Sequence, residues 1–113
     1  MTQDELEEKL KLAGFPVQYH HFSKFVEPPY IVYLRVFDEN IAADLSVLGK
    51  IKHYQVELYS AEKDTAAEKK LERILNTIDT DYSTSEQYIK DDVDGIYQVI
   101  YEIKLIEKRQ NNE

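Results

Sequence analysis

The chain has 113 residues, with 22 acidic against 14 basic for a net charge of −8, and no cysteine. The missing thiol excludes a disulfide framework, a cysteine nucleophile and a zinc–thiolate centre. Lys and Arg are interleaved with acids except at Lys50, Lys52 and "KRQ" near the C-terminus, which sets the chain against a phosphate backbone and so against nucleic acid as a partner.

At 42% hydrophobic residues the chain predicts one α+β domain over residues 1–108, with a polar tail at 109–113. A domain of this size buries roughly two-thirds of its unfolded surface, enough for a core without staples. No apolar run approaches the roughly 18 residues of a membrane span. The N-terminus "MTQDELEEKL" is acidic and amphipathic, unlike a secretory signal, so cytoplasmic synthesis is expected.

Thr2 followed by Glu5 predicts a capping box, with Leu6, Leu10 and Ala13 at helical spacing and Gly14 as the stop. The first helix is expected over Gln3–Ala13. "VQYHHF", Val17 to Phe22, predicts a short strand. Pro28 and Pro29 cannot donate to a ladder and mark the entrance of the next strand. That strand, Tyr30 to Phe37, is nearly all apolar, as if covered on both faces, or on one face by this chain and on the other by a partner. "DENIAADLSVLGK", Asp38 to Lys50, has no clean period and predicts a long loop with a helical turn near Ala42–Leu45; such loops often carry function.

In "IKHYQVELYS", Tyr54, Val56 and Leu58 alternate with polar residues, the pattern of a half-buried strand. The period then switches. Thr65 and Glu68 suggest a second capping box, and Leu71, Ile74, Leu75 and Ile78 form a helical stripe, predicting a helix over Asp64–Ile78. "YSTSEQYI" is a polar edge strand and "DDVDG" a turn with Asp94-Gly95 suited to type I′. In the last strand Tyr97, Val99, Tyr101, Ile103 and Leu105 share one face. The similar hexapeptides "YQVELY" (Tyr54–Tyr59) and "YQVIYE" (Tyr97–Glu102) thus obey one amphipathic constraint. The order α-β-β-β-α-β-β implies a mainly antiparallel sheet of four to five strands with two helices packed on one face.

Sites of chemistry are not evident. His20 and His21, adjacent on a strand, point to opposite faces and cannot share one metal. Asp79 to Asp94 holds six acids against Lys90 alone, but lacks the spacing and glycine of a calcium loop, so it is a solvated acidic hairpin. No Gly-rich phosphate loop or nucleophile elbow is present, and no enzyme, metal or cofactor is expected. Nine tyrosines are the unusual feature. Tyrosine suits protein interfaces, having an apolar body and a polar tip. The candidate interaction surface is therefore Tyr30, Tyr33 and Tyr59 on the strands, with Ile41, Asp44, Val47 and Leu48 in the long loop.

Taken in order, "LKLAGFPVQYHHF", "PPYIVYL", "ADLSVLGKIKHYQVELYS", "EKKLERIL" and "EQYIKDDVDGIYQVIYEI" resemble a family of small proteins from tailed phages and prophages of Gram-positive bacteria. Its members lie among the head–tail joining and tail genes and are similar to tail-completion or tail-terminator proteins. The likeness spans Leu6 to Ile106. It departs in "ENIAAD", where Ile41 stands at a position the family gives to an aromatic residue. The resemblance implies an α+β sheet flanked by helices, with no catalytic residues, cofactor or small-molecule substrate. It further implies a ring homo-oligomer, commonly of six copies, at the head-proximal end of a long non-contractile tail, formed in the host cytoplasm and carried in the virion tail. There it would stop tube growth and meet the tail tube and the head connector; an isolated chain that waits for a template would be monomeric at micromolar concentration. A different class fits the same residues, a small cytoplasmic protein-binding or regulatory module without catalytic activity.

Overall fold

The computed structural model describes residues 1–43, 46–90 and 94–108, with the backbone alone at 43, 46 and 47. The described elements are α1 (Gln3–Lys11), β1 (Val17–Tyr19), β2 (Tyr30–Ala43), β3 (Ser46–Ser60), α2 (Thr65–Leu75), β4 (Ser83–Lys90) and β5 (Gly95–Lys108), in the expected α-β-β-β-α-β-β order. The strands form one sheet in the order β1-β2-β3-β5-β4. β1 runs parallel to β2, and the other three pairings are antiparallel. The sheet is therefore mixed: mainly antiparallel as expected, with one parallel pairing at the β1 edge. The connection through residues 20–29 crosses the sheet before β2 begins, so β2 sets off in the direction of β1.

The two hexapeptides lie against each other. Val56 is opposite Tyr101, Leu58 opposite Val99 and Tyr59 opposite Gln98, so "YQVELY" and "YQVIYE" are paired stretches of the two central strands. Their inward residues, with Ile31 and Tyr33 of β2, meet Leu6 and Leu10 of α1 and Ala67, Leu71 and Leu75 of α2 in one core on one face of the sheet. The spacing predicts burial of Leu6, Leu10, Tyr54, Val56, Leu58, Leu71, Ile74, Leu75, Val99, Tyr101 and Ile103, and of these Ile74 alone is only partly buried.

Three tyrosines act as struts between sheet and helices. Their rings are in the core and their hydroxyls donate to α1 or α2: Tyr33 to Glu7 at 2.8 Å, Tyr54 to Gln3 at 3.1 Å and Tyr101 to Glu72 at 2.7 Å. An apolar ring with a satisfied polar tip suits a sheet–helix boundary.

The capping box of α1 is present, Thr2 and Glu5 each satisfying the other's backbone amide, and the chain leaves the helix through Gly14 at φ 88. α2 starts one residue earlier than a Thr65 box requires. Asp64 is its cap, the carboxylate accepting from the Ala67 amide at 3.0 Å. Both helices are shorter at their C-terminal ends than their apolar stripes suggested; Ala13 and Ile78 still pack on the core from the turns that follow.

The largest correction concerns Asp38 to Lys50. Apart from Asp44 and Leu45, which lie outside the described residues, this segment is strand, not loop: β2 runs on to Ala43 and β3 begins at Ser46. Beyond Asp38, which is level with the buried Leu105, no element among the described residues covers either face, so burial imposes no alternation of apolar and polar residues, and the period that marks a strand is missing. The expected short strand after Pro16 ends at Tyr19, because His20 takes a left-handed φ of 67. That bend brings the rings of His20 and His21 together, their Nδ1 atoms 3.0 Å apart, instead of placing them on opposite faces. The expected hairpin turn at "DDVDG" involves Asp91, Asp92 and Val93, outside the described residues, as does the tail 109–113.

Candidate protein interface

The molecule measures 55 × 27 × 26 Å, and its length comes from the three central strands outrunning everything that covers them. β1 pairs with β2 only from Ile31 to Tyr33, and β4 pairs with β5 only as far as Glu102. Beyond those levels β2, β3 and β5 continue together as an arm, in register to Gly49 opposite both Ile41 and Lys108. At about 3.3 Å per residue, the arm from Phe37 to Ala43 adds roughly 20 Å.

Two bulges shape the arm. The register between β2 and β3 shifts between Arg35 and Phe37 and again between Ile41 and Ala42. The extra residues are Val36 on β2 and Leu48 on β3, and both side chains are exposed. A bulge inverts the faces of every later residue. Phe37 therefore leaves the helix side, where strict alternation from Tyr33 would put it, and stacks on His53 at 4.0 Å on the opposite face. The register places Phe37, Glu39 and Ile41 of β2 on that face with Ile51 and His53 of β3 and Lys104, Ile106 and Lys108 of β5. Phe37 at 52% and Ile106 at 57% exposure leave substantial apolar area in water there. Gly49 lets the strands close up near the tip, since a Cβ at this position would meet the Glu107 carbonyl oxygen at 2.5 Å.

Where β2 and β5 leave the body, each has one outward amide capped by a side chain. At the β2 edge the Arg35 amide donates to the Tyr19 hydroxyl at 3.3 Å. At the β5 edge the Lys104 amide donates to Asp79 Oδ2 at 2.8 Å. Past those caps, among the described residues, neither a strand nor a capping side chain meets the outer edge of β2 from Val36 to Ala43 or of β5 from Leu105 to Lys108. Uncovered edges of this kind are templates for pairing with another chain.

Ion pairs brace the arm internally. Lys52 reaches Glu107 at 2.7 Å, Arg35 reaches Asp38 at 3.7 Å, and His53 Nε2 contacts Glu39 Oε1. The Lys52 hydrogen bond holds the Glu107 carboxyl below its ordinary range, and the same bond raises Lys52. Each pair joins a half-buried side chain (Lys52, Asp38 or His53) to a more exposed partner that water screens, so each is worth little individually.

The residues singled out from the sequence divide between two places. Ile41 and Leu48 are on the arm, with Leu48 exposed and Ile41 half-buried. Asp44 and the side chain of Val47 lie outside what is described. Tyr33 is not a surface residue: at 2% exposure it belongs to the core, because its parity on β2 turns it toward α1. Tyr30 and Tyr59 stack at 5.0 Å on the face away from the helices, half-buried beneath the crossing segment 20–29. They floor a cleft of about 340 Å³ whose rim includes His20, Lys24 and Phe25. Behind it the buried Gln98 donates to the Tyr59 hydroxyl at 2.7 Å, and that hydroxyl donates to Glu57 at 2.9 Å. Phe25 stands out at 89% exposure.

Of the arm's exposed apolar residues, Leu48 was among the sequence candidates and Val36, Phe37 and Ile106 were not. The signal available for them is an apolar run that occupies both parities of a strand with too few helices to cover both faces. Among the described residues no helix is long and apolar enough to cross a membrane, and no group of three or more His, Asp or Glu is arranged to hold a metal ion. Compared with known proteins, the chain matches no protein-family model and no curated sequence.

Proposed function

We propose that this chain is a structural protein of the head–tail joint of a long-tailed phage or prophage, a tail terminator or completion protein without catalytic activity. It acts by offering surfaces to other proteins: further copies of itself in a ring, the tail tube below and the head connector above. The observation that carries this reading is the arm, a three-stranded extension with exposed apolar residues and two edges that are uncapped among the described residues. A monomer gains nothing from such a feature and exposes itself to aggregation by keeping it. The resemblance of the ordered segments to tail-completion proteins supplies the assembly in which such an arm belongs. The net charge of −8 is compatible with a protein that meets proteins rather than DNA.

Mass spectrometry of gradient-purified particles tests the reading. It expects peptides of this chain in the virion in a fixed ratio to the tail proteins. Their absence from particles, with the chain abundant in the lysate, overturns it. That result would favour the second reading, a small protein-binding module, for which the cleft beside Phe25 is the supporting feature.

A further inference from the structure

We infer that copies of this chain join head to tail through the arm, the outer edge of β2 in one copy pairing with the outer edge of β5 in the next. This deepens the ring reading and rests on it. Three observations bear on it.

The first is the contrast along each edge. Tyr19 occupies the last β2 amide before the arm, and Asp79 occupies the β5 amide at Lys104. The outward amides of β2 and β5 are thus occupied where each strand leaves the body, and among the described residues they are bare beyond; the body's own outermost strand, β4, is polar and exposed along its length and offers no apolar residue to match that edge until Tyr88 and Ile89. The second is direction. β3 is antiparallel to both β2 and β5, so β2 and β5 run together toward the tip. A rotation that sets β2 of one copy beside β5 of another makes a parallel pair and leaves the same two edges bare at the ends. The contact is heterologous and repeats, closing into a ring when the rotation permits.

The third is complementarity. On the face away from the helices, the β2 edge presents an acid between two apolar residues, Phe37, Glu39 and Ile41. The β5 edge presents an apolar residue between two bases, Lys104, Ile106 and Lys108. Within one arm, Glu39 is level with Ile51 and so with Ile106. A stagger of two residues in either direction, of the kind strand tilt produces, sets Glu39 opposite Lys104 or Lys108. The same stagger sets Ile41 or Phe37 opposite Ile106. Cross-strand pairs of opposite charge and of apolar residues are the stabilising unit of a sheet. An isologous pairing of two β2 edges would instead bring acid against acid at Asp38 and Glu39.

A charge exchange tests the contact. One variant carries Glu39→Lys, the other Lys104→Glu with Lys108→Glu. Each alone has two edges of like sign; mixed, each has an edge of opposite sign to offer the other. Sedimentation velocity up to about millimolar chain is the readout, that being a free energy of about −4 kcal/mol. Wild type is expected to associate with rising concentration. Each variant alone should associate at least about tenfold more weakly, and the equimolar mixture should recover the wild-type behaviour. Circular dichroism verifies that both variants are folded. A variant that associates like wild type, a folded mixture that stays monomeric, or a wild type that stays monomeric throughout overturns the inference. Virion content is a separate readout: a chain present in particles whose edges fail this test refutes the contact and leaves the structural role standing.

Discussion

Replacing Leu71 by Ala tests the packing of α2 on the sheet. Leu71 is fully buried, in one cluster with Leu75, Val56, Leu58 and Tyr101. The substitution removes about three carbon groups, worth roughly 2.4 kcal/mol at about 0.8 kcal/mol each. The cavity left between a helix and two central strands, which cannot collapse fully, raises the cost to about 3–4 kcal/mol. At about 4 °C per kcal/mol for a domain of this size, the melting temperature should fall by roughly 12–16 °C. Urea and thermal unfolding followed by circular dichroism measure it, with Lys69→Ala on the exposed side of the same helix as control, expected within about 0.5 kcal/mol of wild type. A loss at Leu71 below about 1 kcal/mol, or no larger than the control, would refute the placement of α2 on the sheet.

Tyr101→Phe keeps the ring and deletes the hydroxyl that donates to Glu72 at 2.7 Å; the expected cost is about 1–2 kcal/mol in the same unfolding assay. Burial, followed by the neighbouring carboxylates Glu7, Glu57 and Glu72, raises Tyr33, Tyr59 and Tyr101 above the ordinary 10.0. The native state then holds these protons more tightly than the unfolded chain does, so the contribution is fully present below pH 10 and is lost as pH rises through the folded values. Tyrosinate absorbance and circular dichroism recorded against pH should show alkaline unfolding beginning above that point. Complete ionisation of all nine tyrosines with the fold intact would contradict it. Ile41→Ser with Leu48→Ser falls on the arm, outside the core cluster, and should leave melting nearly unchanged while reducing incorporation into tails, measured by complementation. A large loss of melting temperature would make the arm part of the cooperative core.

The sequence is legible where burial writes on it. The inner parts of β3 and β5 carry alternation because one face meets the helices and the other meets water or the crossing segment. α2 carries its apolar stripe for the same reason. The polar edge strand "STSEQYI" declares itself by what it lacks, and β4 is exposed along its whole length. The arm is silent because, beyond the level of Leu105, neither face is buried among the described residues, so Asp38 to Lys50 has no pattern to distinguish a strand from a loop. Tyr33 was misplaced for a related reason. Tyr30 to Leu34 are all apolar or aromatic, and composition alone does not tell which parity faces the helices. The bulge at Val36 then inverts the faces, an event with no mark in the residue types. Of the candidate surface, Ile41 and Leu48 were reachable from length and exposed apolar character alone. Phe37 and Ile106 required the register.

The central claim is that this chain completes a tail and joins it to a head. The measurement closest to it is electron microscopy of lysates from a phage whose copy of this gene is interrupted, with and without complementation. The account predicts filled heads lying separate from tails, tails of uncontrolled length because tube growth is not stopped, and restoration of joined particles by the wild-type chain. Normal, joined particles with tails of uniform length in its absence would contradict it.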